Sequence, residues 1–295
     1  MVHELSPIRS MIAPNTMSLP TRPVLSADHR IHYGSGQYQF GDLWLPANPT
    51  EQRLPLVIFV HGGWWQSAYG LDYAGPLCAA LKAIGIAVWS IEYRRVGSTG
   101  GGWPMTFQDV AAGFDYVATL AKTYPLNLDR VIAMGHSSGA QLAFWLAGRH
   151  HIPATSRIYE PQPKVALHGL IALAGAVDLQ LLCDLSGYFT FAHDKDEVYS
   201  LMGGPPTQFE VRYRAGNPGA LLPLNVPQIL IQSADDGQIP PQLPVRWAEM
   251  ARRQGDDVTV TIVPGVDHFD VVDPQSKAWS TVRAAVLKLL HVSAQ

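Results

Sequence analysis

Leu56-Val57-Ile58-Phe59-Val60 is a run of five apolar residues without the alternation of a half-exposed strand. A strand reads this way when both its faces are buried, as in parallel sheets covered by helices on either side. The same unit recurs along the chain. A helical pattern over about 71–83 leads to Ile86-Ala87-Val88-Trp89-Ser90, and one over about 106–122 leads to Arg130-Val131-Ile132-Ala133-Met134. A third, over about 138–149, leads to Leu170-Ile171-Ala172-Leu173-Ala174. Then come Gln228-Ile229-Leu230-Ile231-Gln232, a helix at about 243–253, Val258-Thr259-Val260-Thr261-Ile262-Val263 and a closing helix at about 275–290. Strand and helix in alternation predict an α/β fold, with a mostly parallel sheet of about eight strands flanked by helices.

Two stretches depart from that rhythm. Residues 1–28 mix Pro, Ser and polar groups without periodicity and read as an irregular arm, which leaves 29–295 as a single domain. Residues 178–226 separate two strands by nearly fifty positions rich in Gly, Pro and aromatics. Connections of that length are usually binding elements, so the expectation is a cap- or lid-like insert.

Composition acts mainly by exclusion. At 295 residues the chain is near the upper size for one hydrophobic core, and 47% hydrophobic with 15% charged residues excludes general disorder. A net charge of −3 gives no basic footprint for nucleic acid or an anionic membrane. No apolar run reaches the roughly 18–20 residues of a membrane span. The start, MVHELSPIRSMIAPNTMSLP, lacks an apolar leader segment, and a cytoplasmic protein is expected. Cys78 and Cys183 stand far apart with no CxxC, which disfavours a disulfide framework and a thiolate zinc site. GxGxxG, GxxxxGK[ST] and HExxH are all absent, so the chain carries none of these nucleotide or metal signatures.

Gly135-His136-Ser137-Ser138-Gly139 fits G-x-S-x-G, and its context decides its meaning. A buried strand pattern ends at Met134 and an Ala/Leu-rich helical pattern follows Gly139, the strand–turn–helix setting in which such a serine is lifted clear on a tight turn. Ser137 is therefore the predicted nucleophile. Ser138 contributes its backbone N–H, while its side chain and that of His136 point elsewhere. His61-Gly62-Gly63-Trp64-Trp65 follows the first buried strand, where an oxyanion-binding loop belongs. The donors are assigned to the N–H groups of Gly63, Trp64 and Ser138, with Gly62 an open alternative to Gly63, and His61 bracing the loop by hydrogen bonds.

An acid and a base should follow the nucleophile in the chain. Asp235 and Asp236 lie just after the 228–232 strand, and His268 is the one histidine between them and the final helix. Asp178, at another strand end, is an outside alternative for the acid. Trp65, Trp103, Tyr188 and Phe189 are expected to line an aromatic substrate pocket. Arg94 and Arg95 are either a lure for an anionic substrate or ion-pair partners of Glu92 and Asp109.

With these residues in view, the sequence resembles the α/β-hydrolase superfamily, and more narrowly its HGGxW-bearing kynurenine formamidases and related carboxylesterases. The carrying segments are 61–65, Glu92-Tyr93-Arg94-Arg95, Gly102-Trp103-Pro104, the elbow at 135–139 and Asp267-His268-Phe269. In related hydrolases the acid stands four residues before the proline of a D-x-x-[VI]-P run, which favours Asp236 over Asp235. The resemblance implies a cofactor-free serine hydrolase acting on a small ester or amide (formamide) through an acyl-enzyme, with Ser137 attacking, His268 moving the proton and Asp236 orienting it. N-formylkynurenine is the leading named substrate, and short aryl or alkyl esters are the alternative. Trp64, bulkier than the residue often found there, would narrow the acyl side to formyl or acetyl. A homodimer stays open.

Overall fold

The computed structural model describes residues 25–47, 51–160, 164–185 and 194–291. Eight strands among the described residues form one sheet: β1 (His29–His32), β2 (Phe40–Trp44), β3 (Leu54–Val60), β4 (Ala87–Ile91), β5 (Leu126–His136), β6 (Leu170–Leu173), β7 (Gln228–Ser233) and β8 (Val258–Val263). Their order in space is β1-β2-β4-β3-β5-β6-β7-β8. β1 pairs antiparallel with β2 and β2 with β4, and every later pairing is parallel. The helices are α1 (Gly75–Ala83), α2 (Met105–Asp115), α3 (Val117–Leu120), α4 (Ser138–Gly148), α5 (Leu179–Leu185), α6 (Asp194–Met202), α7 (Pro206–Gly216), α8 (Gln242–Arg253) and α9 (Trp279–Leu289).

All seven residues of β3 are buried, which is why its sequence shows no alternation. Leu56, Ile58 and Val60 face one core, shared with Phe107 and Phe114 of α2, Trp145 of α4 and Trp247 of α8. Val57 and Phe59 face the other, with Leu77 and Leu81 of α1 and Val282 and Val286 of α9. The result is a three-layer sandwich with the sheet in the middle. The helix expected over about 106–122 is divided at Tyr116. Its ladder nevertheless runs through, since Tyr116 N–H reaches the Ala112 carbonyl at 2.9 Å and Leu120 N–H reaches that of Tyr116 at 3.0 Å. The division is a local tightening of one helix.

The long connection after β6 carries α5, α6 and α7. Leu182, Leu185, Val198, Leu201, Met202 and Tyr213 from it join the first core, so much of the segment packs as part of the domain. Asp178 starts it. Its carboxylate takes the Leu181 N–H at 2.7 Å and the Asn217 amide at 3.0 Å, pinning the beginning of the segment to its far end. Burial raises the Asp178 pKa. No helix among the described residues is long and apolar enough to cross a membrane.

Candidate active site

Loops leaving the C-terminal ends of β3, β5, β7 and β8 converge on one place, the usual ligand-binding edge of an open α/β sheet. Between β5 and α4, Ser137 holds φ 53° and ψ −128°, a conformation that costs a non-glycine residue about 1–3 kcal/mol. The neighbours impose it. Ser137 N–H is held by the Leu173 carbonyl at 2.9 Å, and its own carbonyl accepts from Ala140 and Ala176, each at 3.0 Å. A Cβ at Gly139 would collide with the carbonyl oxygen of Val60, so only glycine lets α4 start this close to β3.

The loop after β3 presses against that turn. A Cβ at Gly62 would stand 2.7 Å from the His136 carbonyl oxygen and 2.8 Å from Ser137 Cβ. Gly63, Trp64 and Trp65 all take positive φ, at 110°, 54° and 57°. The N–H of Gly62 donates to the Tyr73 hydroxyl at 2.8 Å, and that of Trp65 points to Ser138 Oγ at 3.4 Å. Between them, the N–H groups of Gly63 and Trp64 have no acceptor among the described residues, and neither does that of Ser138 at the start of α4. With Gly62 already committed, Gly63 is the member of that pair left with a donor to offer.

His61 is fully buried and braces this loop. Its Nε2 is 3.0 Å from Glu92 Oε1 and its Nδ1 is 2.8 Å from the Gly62 carbonyl oxygen. Its ring stacks on Tyr93, whose hydroxyl donates to the His61 carbonyl at 2.8 Å. Burial alone would raise the Glu92 pKa, but the His61 charge and hydrogen bond, with Arg95, outweigh it and hold Glu92 below the ordinary carboxylate range. Both arginines are structural partners here. Arg95 Nε lies 3.3 Å from Glu92, and Arg94 grips Asp109 with two side-chain nitrogens at 2.5 and 2.6 Å.

On the far side, Asp236 follows β7 and His268 follows β8. Asp236, the aspartate favoured over Asp235, meets the histidine: His268 Nδ1 is 2.9 and 3.0 Å from its two oxygens. Asp235 is exposed, and Asp178 serves the segment after β6. Asp236 also accepts from the N–H groups of Gln238 and Ile239 at 2.8 and 2.9 Å and from the Gln232 amide at 2.8 Å. Burial by itself would push its pKa up; the charge of His268 and these hydrogen bonds bring it below the ordinary value. His268 Nε2 is buried with no hydrogen-bond partner among the described residues.

Of the residues expected in a substrate pocket, Trp65 is corrected. It is wholly buried in the first core, its indole N–H lacking an acceptor among the described residues. Its left-handed backbone turns the side chain under the loop, an orientation that the two adjacent tryptophans alone do not reveal. Trp103 is partly buried, edge-on to Phe107 at 5.3 Å, and its N–H donates to Leu201 of α6 at 2.8 Å. Tyr188 and Phe189 lie outside the described residues. Trp64 keeps partial exposure. Two contributors escaped the sequence reading, Gln232 and Tyr73. Each acts by a single hydrogen-bonding atom that no local pattern marks.

The BD-FAE family model matches residues 42–249, and the chain belongs to that family. Its fold is that of the α/β-hydrolases. Over 82% of its length it is 28% identical to a probable isoprenylcysteine alpha-carbonyl methylesterase of Arabidopsis thaliana, of which it spans about half (50%). It is 24% identical to a kynurenine formamidase of Salmo salar, with 82% of this chain and 75% of that one covered. Among solved structures, esterase B from Lactobacillus rhamnosis superposes with a TM-score of 0.73 at 18% identity, covering 89% of this chain and 84% of that one. A truncated carbohydrate esterase from gut microbiota does so at 0.72 and 19%, covering 89% and 95%.

Proposed function

We propose that this protein hydrolyses a small carboxylic ester or formamide through an acyl-enzyme formed on Ser137. The observation that carries the reading is the Asp236–His268 pair, which leaves one buried imidazole nitrogen without a partner among the described residues, on a loop fastened to the residue beside Ser137. Because Nδ1 donates to the carboxylate, the neutral ring offers Nε2 as the acceptor for the Ser137 proton. Ser137 Oγ attacks the carbonyl carbon, and the carbonyl oxygen becomes an oxyanion held by the N–H groups of Gly63, Trp64 and Ser138. Such donors contribute about 3–4 kcal/mol each when fixed in advance. The proton passes from His268 to the departing alcohol or amine; water, deprotonated by the same nitrogen, then releases the acid.

The relatives divide the substrate class between methylesterase and formamidase. Trp64, bulky and held at positive φ beside Gly63, supports a small acyl group. Comparing kcat/KM for N-formyl-L-kynurenine and p-nitrophenyl butyrate tests the choice. A preference of several orders of magnitude for the formamide is expected of an arylformamidase. Fast ester turnover with negligible formamide cleavage makes the protein a short-chain carboxylesterase.

A further inference from the structure

Tyr73 lies in the turn Leu71–Ala74 just before α1, outside every segment given a chemical role above. Its hydroxyl accepts the Gly62 N–H at 2.8 Å and stands 2.7 Å from His136 Nδ1. The other ring nitrogen of His136, Nε2, stands 3.0 Å from the carbonyl oxygen of His268. A carbonyl can only accept, so Nε2 carries the proton. Nδ1 is then bare and accepts from the tyrosine, whose oxygen keeps a lone pair for Gly62. Each proton in the chain Gly62 to Tyr73 to His136 to His268 thus has one consistent place. Phe269 packs against the three rings, at 6.0 Å from Tyr73, 5.6 Å from His136 and 5.3 Å from His268. Burial raises the Tyr73 pKa and keeps the phenol protonated.

We infer that Tyr73 and His136 are positioning residues that lock the oxyanion loop, the nucleophile turn and the base loop into one hydrogen-bonded unit. The inference rests on the serine-hydrolase reading above. The two ends of the chain are backbone groups, and each borders the chemistry. Gly62 immediately precedes Gly63, whose N–H is left for the oxyanion, and the His268 carbonyl belongs to the base itself. Donors in an oxyanion hole work because they need no rearrangement as charge develops. A tether spanning both loops fixes their separation, a distance that neither loop sets alone.

Tyr73→Phe keeps the ring against Phe269 and removes only the hydroxyl. With rates normalised to the fraction of serine that a fluorophosphonate labels, kcat should fall about ten- to a hundredfold with KM nearly unchanged. Affinity for a trifluoromethyl ketone, which forms an oxyanion on attack, should fall by the same factor. His136→Asn keeps an acceptor for Tyr73 but loses the reach to His268, and should also lower kcat. The double variant should lose no more than the worse single one, because one chain is broken once. Wild-type kcat and ketone affinity in Tyr73→Phe, or strictly additive losses in the double variant, would overturn the inference while an inactive Ser137→Ala leaves the hydrolase reading standing. Turnover surviving in Ser137→Ala removes both. Should Tyr73→Phe fail to fold, His136→Asn alone decides by the same kcat and ketone readouts.

Discussion

Two buried imidazole–carboxylate pairs stand on either side of Ser137, and they differ in one atom. His61 meets Glu92 at 3.0 Å and His268 meets Asp236 at 2.9 Å. In both, burial opposes the carboxylate's charge, and the facing histidine together with further charge and hydrogen bonds outweighs it. The second ring nitrogen separates them. That of His61 is turned to the Gly62 carbonyl oxygen, so neither nitrogen is left to take a proton, and the ring braces a loop. That of His268 is buried with no hydrogen-bond partner among the described residues. Leaving a buried polar group without a partner costs about 1–3 kcal/mol, a cost that folded proteins retain mostly where the group has other work. Under the proposed mechanism, what sets the base apart from the brace is a nitrogen without a partner, since the two pairs are otherwise alike in burial and distance.

The most drastic test of that comparison is Ser137→Ala. It should cut hydrolysis about 10⁴-fold or more while both pairs and the circular dichroism spectrum stay intact. Next, Asp236→Asn should lower kcat about 10³- to 10⁴-fold by favouring the wrong tautomer of His268. Glu92→Gln should cost about 2–3 kcal/mol of stability but at most about tenfold in kcat. A Glu92→Gln enzyme as inactive as Asp236→Asn would erase the distinction between the pairs.

A smaller effect is expected in acid. Both carboxylates titrate lower in the folded chain than their ordinary values of 4.5 for Glu92 and 3.8 for Asp236. Their stabilisation is therefore full above those values and is lost as pH falls through them toward the folded ones. Melting temperature should be level near neutrality and decline below about pH 5, and Glu92→Gln should make that decline shallower. Least of all, Trp65→Phe should cost about 1–2 kcal/mol in thermal unfolding and leave KM unchanged, as suits a core residue. A KM raised tenfold with stability intact would return Trp65 to the substrate.

The parallel sheet was legible because a strand buried on both faces cannot hide its composition, and β3 and β5 announce themselves by it. The elbow was legible for a related reason: a conformation like that of Ser137 demands small neighbours at fixed offsets, so Gly135 and Gly139 mark it in the sequence. The aromatic residues were not separable in the same way. Trp64 and Trp65 are adjacent and chemically identical, yet one keeps partial exposure and the other is sealed in the core. Both take positive φ, so the backbone conformation alone does not separate them; the packing of Trp65 into the first core does.

The sequence by itself determined the order of strands and helices, the strained turn at Ser137 and the chain order of Ser137, Asp236 and His268. All of these follow from periodicity, glycine spacing and side-chain chemistry within a few residues. Tertiary structure alone decided that Gly62 spends its N–H on Tyr73, and that among the described residues His268 Nε2 keeps no partner where both ring nitrogens of His61 have one. Those outcomes depend on which donor or acceptor stands within reach once the loops have packed, as Tyr73 does for Gly62 and Glu92 for His61. Hydrogen bonds act over about 3 Å and in one direction, and local pattern carries no record of which distant atom will fill that place.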